Sequence, residues 1–153
     1  MDDAFRLHRD LTDRIIRVFW AVVSELGTGY VERIYLRAMV IALRQEGFEV
    51  DENYKTAIFF RGQEIGRHNF DLVVNGLILL ELKATSAFEG WHAAQTIGYL
   101  RSSQLEVGLI LNFGPNPCVR RVSLTNDRKQ LTQFSATADE QIAPAQESQS
   151  KAL

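Results

Sequence analysis

The sequence predicts an α/β fold in which a mixed central β-sheet is flanked by helices, with elements in the order ααβββαββ. Three observations carry this expectation. Two amphipathic helical patterns come first, an Asn75-Gly76 turn then joins two strongly apolar strand patterns, and a further helical pattern separates these from two short strands.

The elements follow in order. Leu7, Leu11, Ile15, Val18, Phe19, Val22 and Leu26 recur at helical spacing, which predicts a long amphipathic helix from about Asp3 to Leu26, ended by Gly27-Thr28-Gly29. Ile34, Ala38, Ile41 and Ala42 mark the inner face of a second helix from about Val31 to Glu46, and Gly47 is placed to cap it. Phe48 to Phe60 is rich in β-formers and reads as one strand or a broken pair, followed by a hairpin turn at Arg61-Gly62-Gln63-Glu64. The run from Phe70 to Ala84 is two strands about Asn75-Gly76, the second apolar on both faces and therefore internal to the sheet. A helix from about Glu89 to Ser102, a strand from Val107 to Phe113 and a strand from Cys118 to Leu124 complete the order. Residues 1–134 are expected to form one domain, and residues 135–153, with no periodicity, a disordered tail.

Within this frame the chemistry concentrates in one place. Asp71 and the tripeptide Glu81-Leu82-Lys83 put two acids and a lysine into an otherwise apolar stretch. An unpartnered buried charge costs several kcal/mol, about the net stability of a small domain, so something must compensate. A buried ion pair between Lys83 and one acid would leave one carboxylate over. A divalent metal held by both carboxylates, with the ammonium beside the reacting group, would use all three.

Strand parity decides whether they can meet. Alternation puts Glu81 and Lys83 on one face. A two-residue Asn75-Gly76 loop would pair Asp71 with Leu80 and send Asp71 to the other face. A three-residue loop, Val74-Asn75-Gly76 with Gly76 left-handed, would pair Val73 with Leu77 and Asp71 with Leu79, bringing Asp71 diagonally next to Glu81. The metal reading therefore requires a bulged or longer turn.

Composition narrows the function classes. No apolar run approaches the roughly 20 residues that span a bilayer, and the acidic start Met1-Asp2-Asp3 lacks a signal-peptide pattern. The single cysteine, Cys118, cannot form an internal disulfide, and no Cys/His spacing suits zinc, so a reducing cytoplasm is expected. A net charge of −2 argues against a non-specific, high-affinity DNA binder but less against a metal nuclease, whose carboxylates lower the formal charge until the ion binds. Local basic positions exist at Arg33, Arg37 and Arg44, and at Arg61 and Arg67, each readable also as a solvated face.

Four motifs in sequence now form a set: Gly29-Tyr30-Val31-Glu32-Arg33-Ile34-Tyr35, which fits Gly-x-x-Glu-x-x-Tyr, then Asp71, Glu81-Leu82-Lys83 and Gln95-Thr96-Ile97-Gly98-Tyr99. Over roughly Asp10 to Ser123 the chain resembles the GxxExxY family of bacteria and archaea, which looks like a branch of the PD-(D/E)XK nuclease superfamily. The resemblance implies a restriction-endonuclease-like core and metal-dependent hydrolysis of phosphodiester bonds in nucleic acid, DNA ahead of RNA. It implies that Asp71 and Glu81 bind Mg²⁺ or Mn²⁺, that Lys83 orients the attacking water and stabilises the transition state, and that Glu32 is an auxiliary acid. Gln95 and Tyr99, four apart and so on one helix face, match a Gln-x-x-x-Tyr helix that steadies the lysine or contacts the nucleic-acid backbone. Arg67 and Arg33 are the expected substrate contacts. Where relatives often carry a basic residue two before the aspartate, this chain has Asn69, which bears on substrate contact near the strand entrance.

Other residues have plainer readings beside functional ones. Tyr35 is expected to pack under the site, and His92 to be structural although it could border the cleft. Phe88 and Trp91 read as core or cleft wall, or as a platform for a base. Two rival functions stay open: a catalytically inactive nucleic-acid-binding module of the same fold, and an interaction or homo-oligomerisation domain, for which the N-terminal amphipathic helix speaks.

Overall fold

A computed structural model describes residues 6–129, so the start at Asp3 and the tail expected at residues 135–153 lie outside the described residues. Helices α1 (Arg9–Leu26) and α2 (Glu32–Gln45) precede strands β1 (Val50–Asp51), β2 (Lys55–Phe60), β3 (Gln63–Asn69), β4 (Leu72–Val74) and β5 (Ile78–Lys83). Helix α3 (Gly90–Arg101) and strands β6 (Val107–Asn112) and β7 (Cys118–Ser123) follow. Five strands form a mixed sheet in the order β1-β4-β5-β6-β7, in which β5 and β6 are parallel and every other pair antiparallel. Along the chain, this sheet and its helices read ααβββαββ, as expected, with β5 internal.

The helical boundaries have local causes. α2 ends at Gly47, where the N–H of Phe48 bonds back to the Leu43 carbonyl at 3.1 Å and that of Gly47 to Arg44 at 3.0 Å, closing the last turn. Ile15, Val18, Phe19 and Val22 of α1, and Tyr35, Met39, Val40 and Leu43 of α2, are buried against Leu72, Val74, Ile78, Leu80, Leu82, Leu109 and Leu111. The apolar stripe of α1 is thus used inside the fold and does not by itself mark an interaction surface. On the opposite sheet face, Val73, Leu79 and Ile110 pack with Leu100, Ile97 and Tyr99 of α3. No helix among the described residues is long and apolar enough to cross a membrane.

Besides Ile34 and Ile41, expected on the inner face of α2 but exposed because Tyr35, Met39, Val40 and Leu43 take that face, two details differ from the sequence reading. The segment Phe48 to Phe60 is the broken pair β1 and β2, and Arg61-Gly62 turns it into β3, a strand that the polar run Gln63–Asn69 does not announce. β2 and β3 form a separate two-stranded sheet, docked where Thr56 donates its hydroxyl to the carbonyl of Ser102 at the end of α3. The second difference is register. Val74 pairs with Ile78 and Leu72 with Leu80, so the three-residue loop is Asn75-Gly76-Leu77, one residue later than expected. Asn75 and Gly76 both have positive φ, 53° and 65°, and Asn75 is pinned by Glu49, whose N–H donates to Oδ1 at 2.9 Å and whose carbonyl accepts the Asn75 N–H at 2.9 Å. That anchor sets where the turn begins.

Candidate active site

The longer turn has the parity that matters. Extending the observed register by one step puts Asp71 opposite Glu81, and both belong to the α3 face of the sheet with Leu79 and Val73. Asp71 stands just before β4, and its Oδ2 accepts the N–H of Leu82 at 2.8 Å. That bond favours the ionised form, as do Lys83 and His68, yet burial first and the charge of Glu81 second raise the Asp71 carboxyl from 3.8 to about 6. Glu81 is 5 % exposed, and its Oε1 is buried with no hydrogen-bond partner.

Lys83 ends β5 on the same face, two residues beyond Glu81. Among the described residues it makes no salt bridge, so the ion-pair account of these three charges is not what the structure contains. Its strand end is fixed from the neighbouring strand. Lys83 is in register with the buried Asn112 of β6, and the Lys83 carbonyl accepts the Phe113 N–H at 2.8 Å. Asn112 then holds the chain that leaves β5 by bonds to both the N–H and the carbonyl of Thr85.

Glu32 opens α2, in the other helical layer, but its charge reaches the site. Desolvation first and Asp71 second raise its carboxyl from the ordinary value, while Lys83 acts the other way. Tyr35, one turn on, is fully buried: its hydroxyl donates to the Gly27 carbonyl at 2.7 Å and its ring stacks on Phe113 at 4.5 Å. It packs, as expected. Tyr99 of α3 borders the acids, its hydroxyl raised by burial first and then by Glu81 and Asp71. Gln95, half-buried, lies one turn before Tyr99 on the same helix and makes no hydrogen bond to either carboxylate. His92 is structural: its Nδ1 accepts the Glu89 N–H at 3.1 Å at the start of α3.

The two arginines stand less directly. Arg67, on β3, is paired with Glu64 at 2.6 Å on the surface, and Arg33 is exposed in the first turn of α2. Sequence reasoning missed two residues. His68 reaches in from the hairpin, its ring stacked on Tyr99 at 3.6 Å and its Nε2 3.8 Å from Glu81 Oε1. Asn112 holds the lysine end of β5. Only Asn112 left a trace in the sequence, as one polar residue closing an apolar strand.

The arrangement suits a divalent cation. Two acids face one another across a strand pair, one with an orphaned buried oxygen, and the ionisation of Asp71 is opposed by its neighbour; a cation between them relieves both costs. Among the described residues no three His, Cys, Asp or Glu side chains form a preformed metal cluster, so an ion held by Asp71 and Glu81 would gather its remaining donors on binding, water and phosphate oxygens among them.

Known proteins carry related patterns. No match is found among curated proteins. The crystal structure of SSO0001 is similar in fold, with a TM-score of 0.51 at 17 % identity over 92 % of this chain and 69 % of that one. Residues 9–122 match the sequence model of the PD-(D/E)XK nuclease superfamily, a span that contains all three helices, the mixed sheet but for the last residue of β7, and the facing acids. By that match, the chain belongs to the PD-(D/E)XK nuclease superfamily.

Proposed function

We propose that this protein is a divalent-metal-dependent nuclease that hydrolyses phosphodiester bonds of nucleic acid, DNA ahead of RNA, in the cytoplasm of a prokaryote. The observation that carries the reading is the placement of Asp71 opposite Glu81 on one sheet face, with Lys83 beside them and in no salt bridge among the described residues. Asp71 and Glu81 hold the ion, Mg²⁺ or Mn²⁺. When bound, it neutralises charge on the phosphate and makes a water acidic enough to serve as nucleophile.

The chain's own residues supply the rest. Lys83 places a positive charge where negative charge accumulates in the transition state, and the Asn112 bridge and the β6 pairing keep it there. Glu32, with its proton held more tightly than usual, is the auxiliary acid that can accept or return a proton at the edge of the site. Gln95 and Tyr99 line the α3 side, where they steady Lys83 or meet the nucleic-acid backbone. Arg33 and Arg67 meet phosphates; the surface pair of Arg67 with Glu64 is worth little and yields to a stronger anion.

The GxxExxY branch is the finer assignment we favour. Its motif has physical content here: Gly29 has φ of 111°, Tyr35 ties the loop to α2 through Gly27, and Glu32 is thereby presented in the first helical turn.

The test is cleavage of single-stranded and duplex DNA and RNA with Mg²⁺ or Mn²⁺, run beside Asp71→Ala. Metal-dependent cleavage lost in the variant supports the reading. A salt-sensitive mobility shift without cleavage would instead favour an inactive binding module, and neither would leave an interaction or oligomerisation domain.

A further inference from the structure

We infer that His68 is a nitrogen donor to the ion held by Asp71 and Glu81, and that it tilts this site from Mg²⁺ toward transition-metal ions such as Mn²⁺. The inference rests on the metal reading of the acids and adds a ligand and a selectivity to it. Its ground is a pair of orphaned atoms. Glu81 Oε1 and His68 Nε2 are both buried, both lack a hydrogen-bond partner, and face each other at 3.8 Å. That is too long for a hydrogen bond, which needs about 3.2 Å or less. It is close to the spacing of two donors on one ion: ligands at about 2.0–2.2 Å from a metal, with angles of roughly 90–120° between them, stand about 3–3.8 Å apart.

The ring's direction is built in. His68 lies nearly parallel to Tyr99, 3.6 Å between centroids and 12° between planes, and is tilted against Phe70 at 5.4 Å. Its strand is held as well, because Thr56, the partner of His68 across the hairpin, donates to the Ser102 carbonyl at the end of α3. The hairpin lies outside the main sheet, and this docking is what carries Nε2 to the acids. Mg²⁺ prefers oxygen donors alone and near-ideal octahedral geometry, whereas imidazole is a favourable ligand for first-row transition metals. The three side chains are not clustered in the metal-free fold, so ion binding completes the set, and two carboxylates with one imidazole around the ion then discriminate by donor type.

The experiment uses MnCl₂ and MgCl₂ as probes on the full chain, and needs no nucleic acid. Electron spin-echo spectra of the Mn²⁺-loaded wild type should show nitrogen modulation that changes on ¹⁵N-histidine labelling and is lost in His68→Phe, which keeps the aromatic stack, and in His68→Gln, which keeps polarity. Calorimetric titration should show the Mn²⁺-to-Mg²⁺ affinity ratio falling about tenfold or more in both variants, the scale of losing a metal-site interaction. If the variants do not fold, the labelled wild-type spectrum alone decides. Mn²⁺ bound with no nitrogen signal, an unchanged affinity ratio, or no Mn²⁺ binding overturns the inference. Cleavage in the Mg²⁺ assay would still uphold the nuclease reading in each of those cases, and a nitrogen signal without cleavage would uphold this inference while that reading falls.

Discussion

Asn112 clasps Thr85 as a second peptide group would: its Oδ1 accepts the Thr85 N–H at 3.1 Å and its Nδ2 donates to the Thr85 carbonyl at 3.1 Å. The same Oδ1 also accepts the Gly114 N–H at 3.0 Å, so one buried side chain ties the segments leaving β5 and β6 together beside Lys83. Replacing it with an apolar residue leaves backbone groups without partners, at about 1–3 kcal/mol each. Asn112→Leu should therefore lose about 3 kcal/mol or more in urea unfolding. Gly114→Ala should be damaging for a different reason, since a Cβ there would meet the Thr85 carbonyl oxygen at 1.9 Å. If Asn112→Leu unfolds like the wild type, the clasp does not hold this end of the sheet.

Glu81 gives the metal prediction. A ligand that binds only the native state stabilises it by mass action. Mg²⁺ or Mn²⁺ should raise the melting temperature of the wild type, and Glu81→Gln should lose that rise, because the substitution removes one of the two acids facing each other on the sheet. Thermal melts with and without excess metal check it. Equal shifts in the two proteins would place metal binding elsewhere.

The ease of reading Asp71 and Glu81 from sequence, and the difficulty of reading His68, have one physical origin. A charge inside an apolar run is a local anomaly, and strand alternation converts it into a face; that much needs only neighbouring residues. The turn's length followed from the same parity, but its starting point depended on Asn75 meeting Glu49, 26 residues away. β3 gave no signal because its residues alternate only between exposed and half-buried, with no apolar face to show a period of two. His68 rides on that strand, and its position depends on the Thr56–Ser102 bond, 46 residues apart. Asn112 was visible as a polar residue ending Val-Gly-Leu-Ile-Leu, yet nothing local names Thr85 as its partner.

Asp71 makes the metal-free fold sensitive to pH. Its folded value, about 6, lies above the ordinary 3.8, so the fold prefers the protonated form. The stability this contributes is full below about pH 4 and is lost as pH rises through about 6, an amplitude on the order of 2 kcal/mol once solvent screening is discounted. Asp71→Asn keeps an oxygen to accept the Leu82 N–H and removes the charge. In chelator, its urea stability should overtake that of the wild type progressively between pH 4 and pH 7. Parallel pH profiles would show that Asp71 ionises without cost.

Lys83 separates a working nuclease from a retained scaffold. With no salt bridge to Glu81 or Asp71, its removal uncovers no paired carboxylate, and the backbone bonds that fix its strand end, to Phe113 and across β6, do not involve its side chain. Lys83→Ala should fold and melt close to the wild type and keep metal binding through Asp71 and Glu81. Cleavage should nevertheless fall by roughly 10²-fold or more, the usual loss when a preorganised charge is taken from a developing negative charge. A buried partner of Glu81 would behave in the opposite way, costing about 3–5 kcal/mol of stability on truncation. Melting, metal titration and single-turnover cleavage on this one variant therefore assign the ammonium either to the phosphate or to the fold, and a destabilised variant beside an uncleaving wild type would end the case for catalysis.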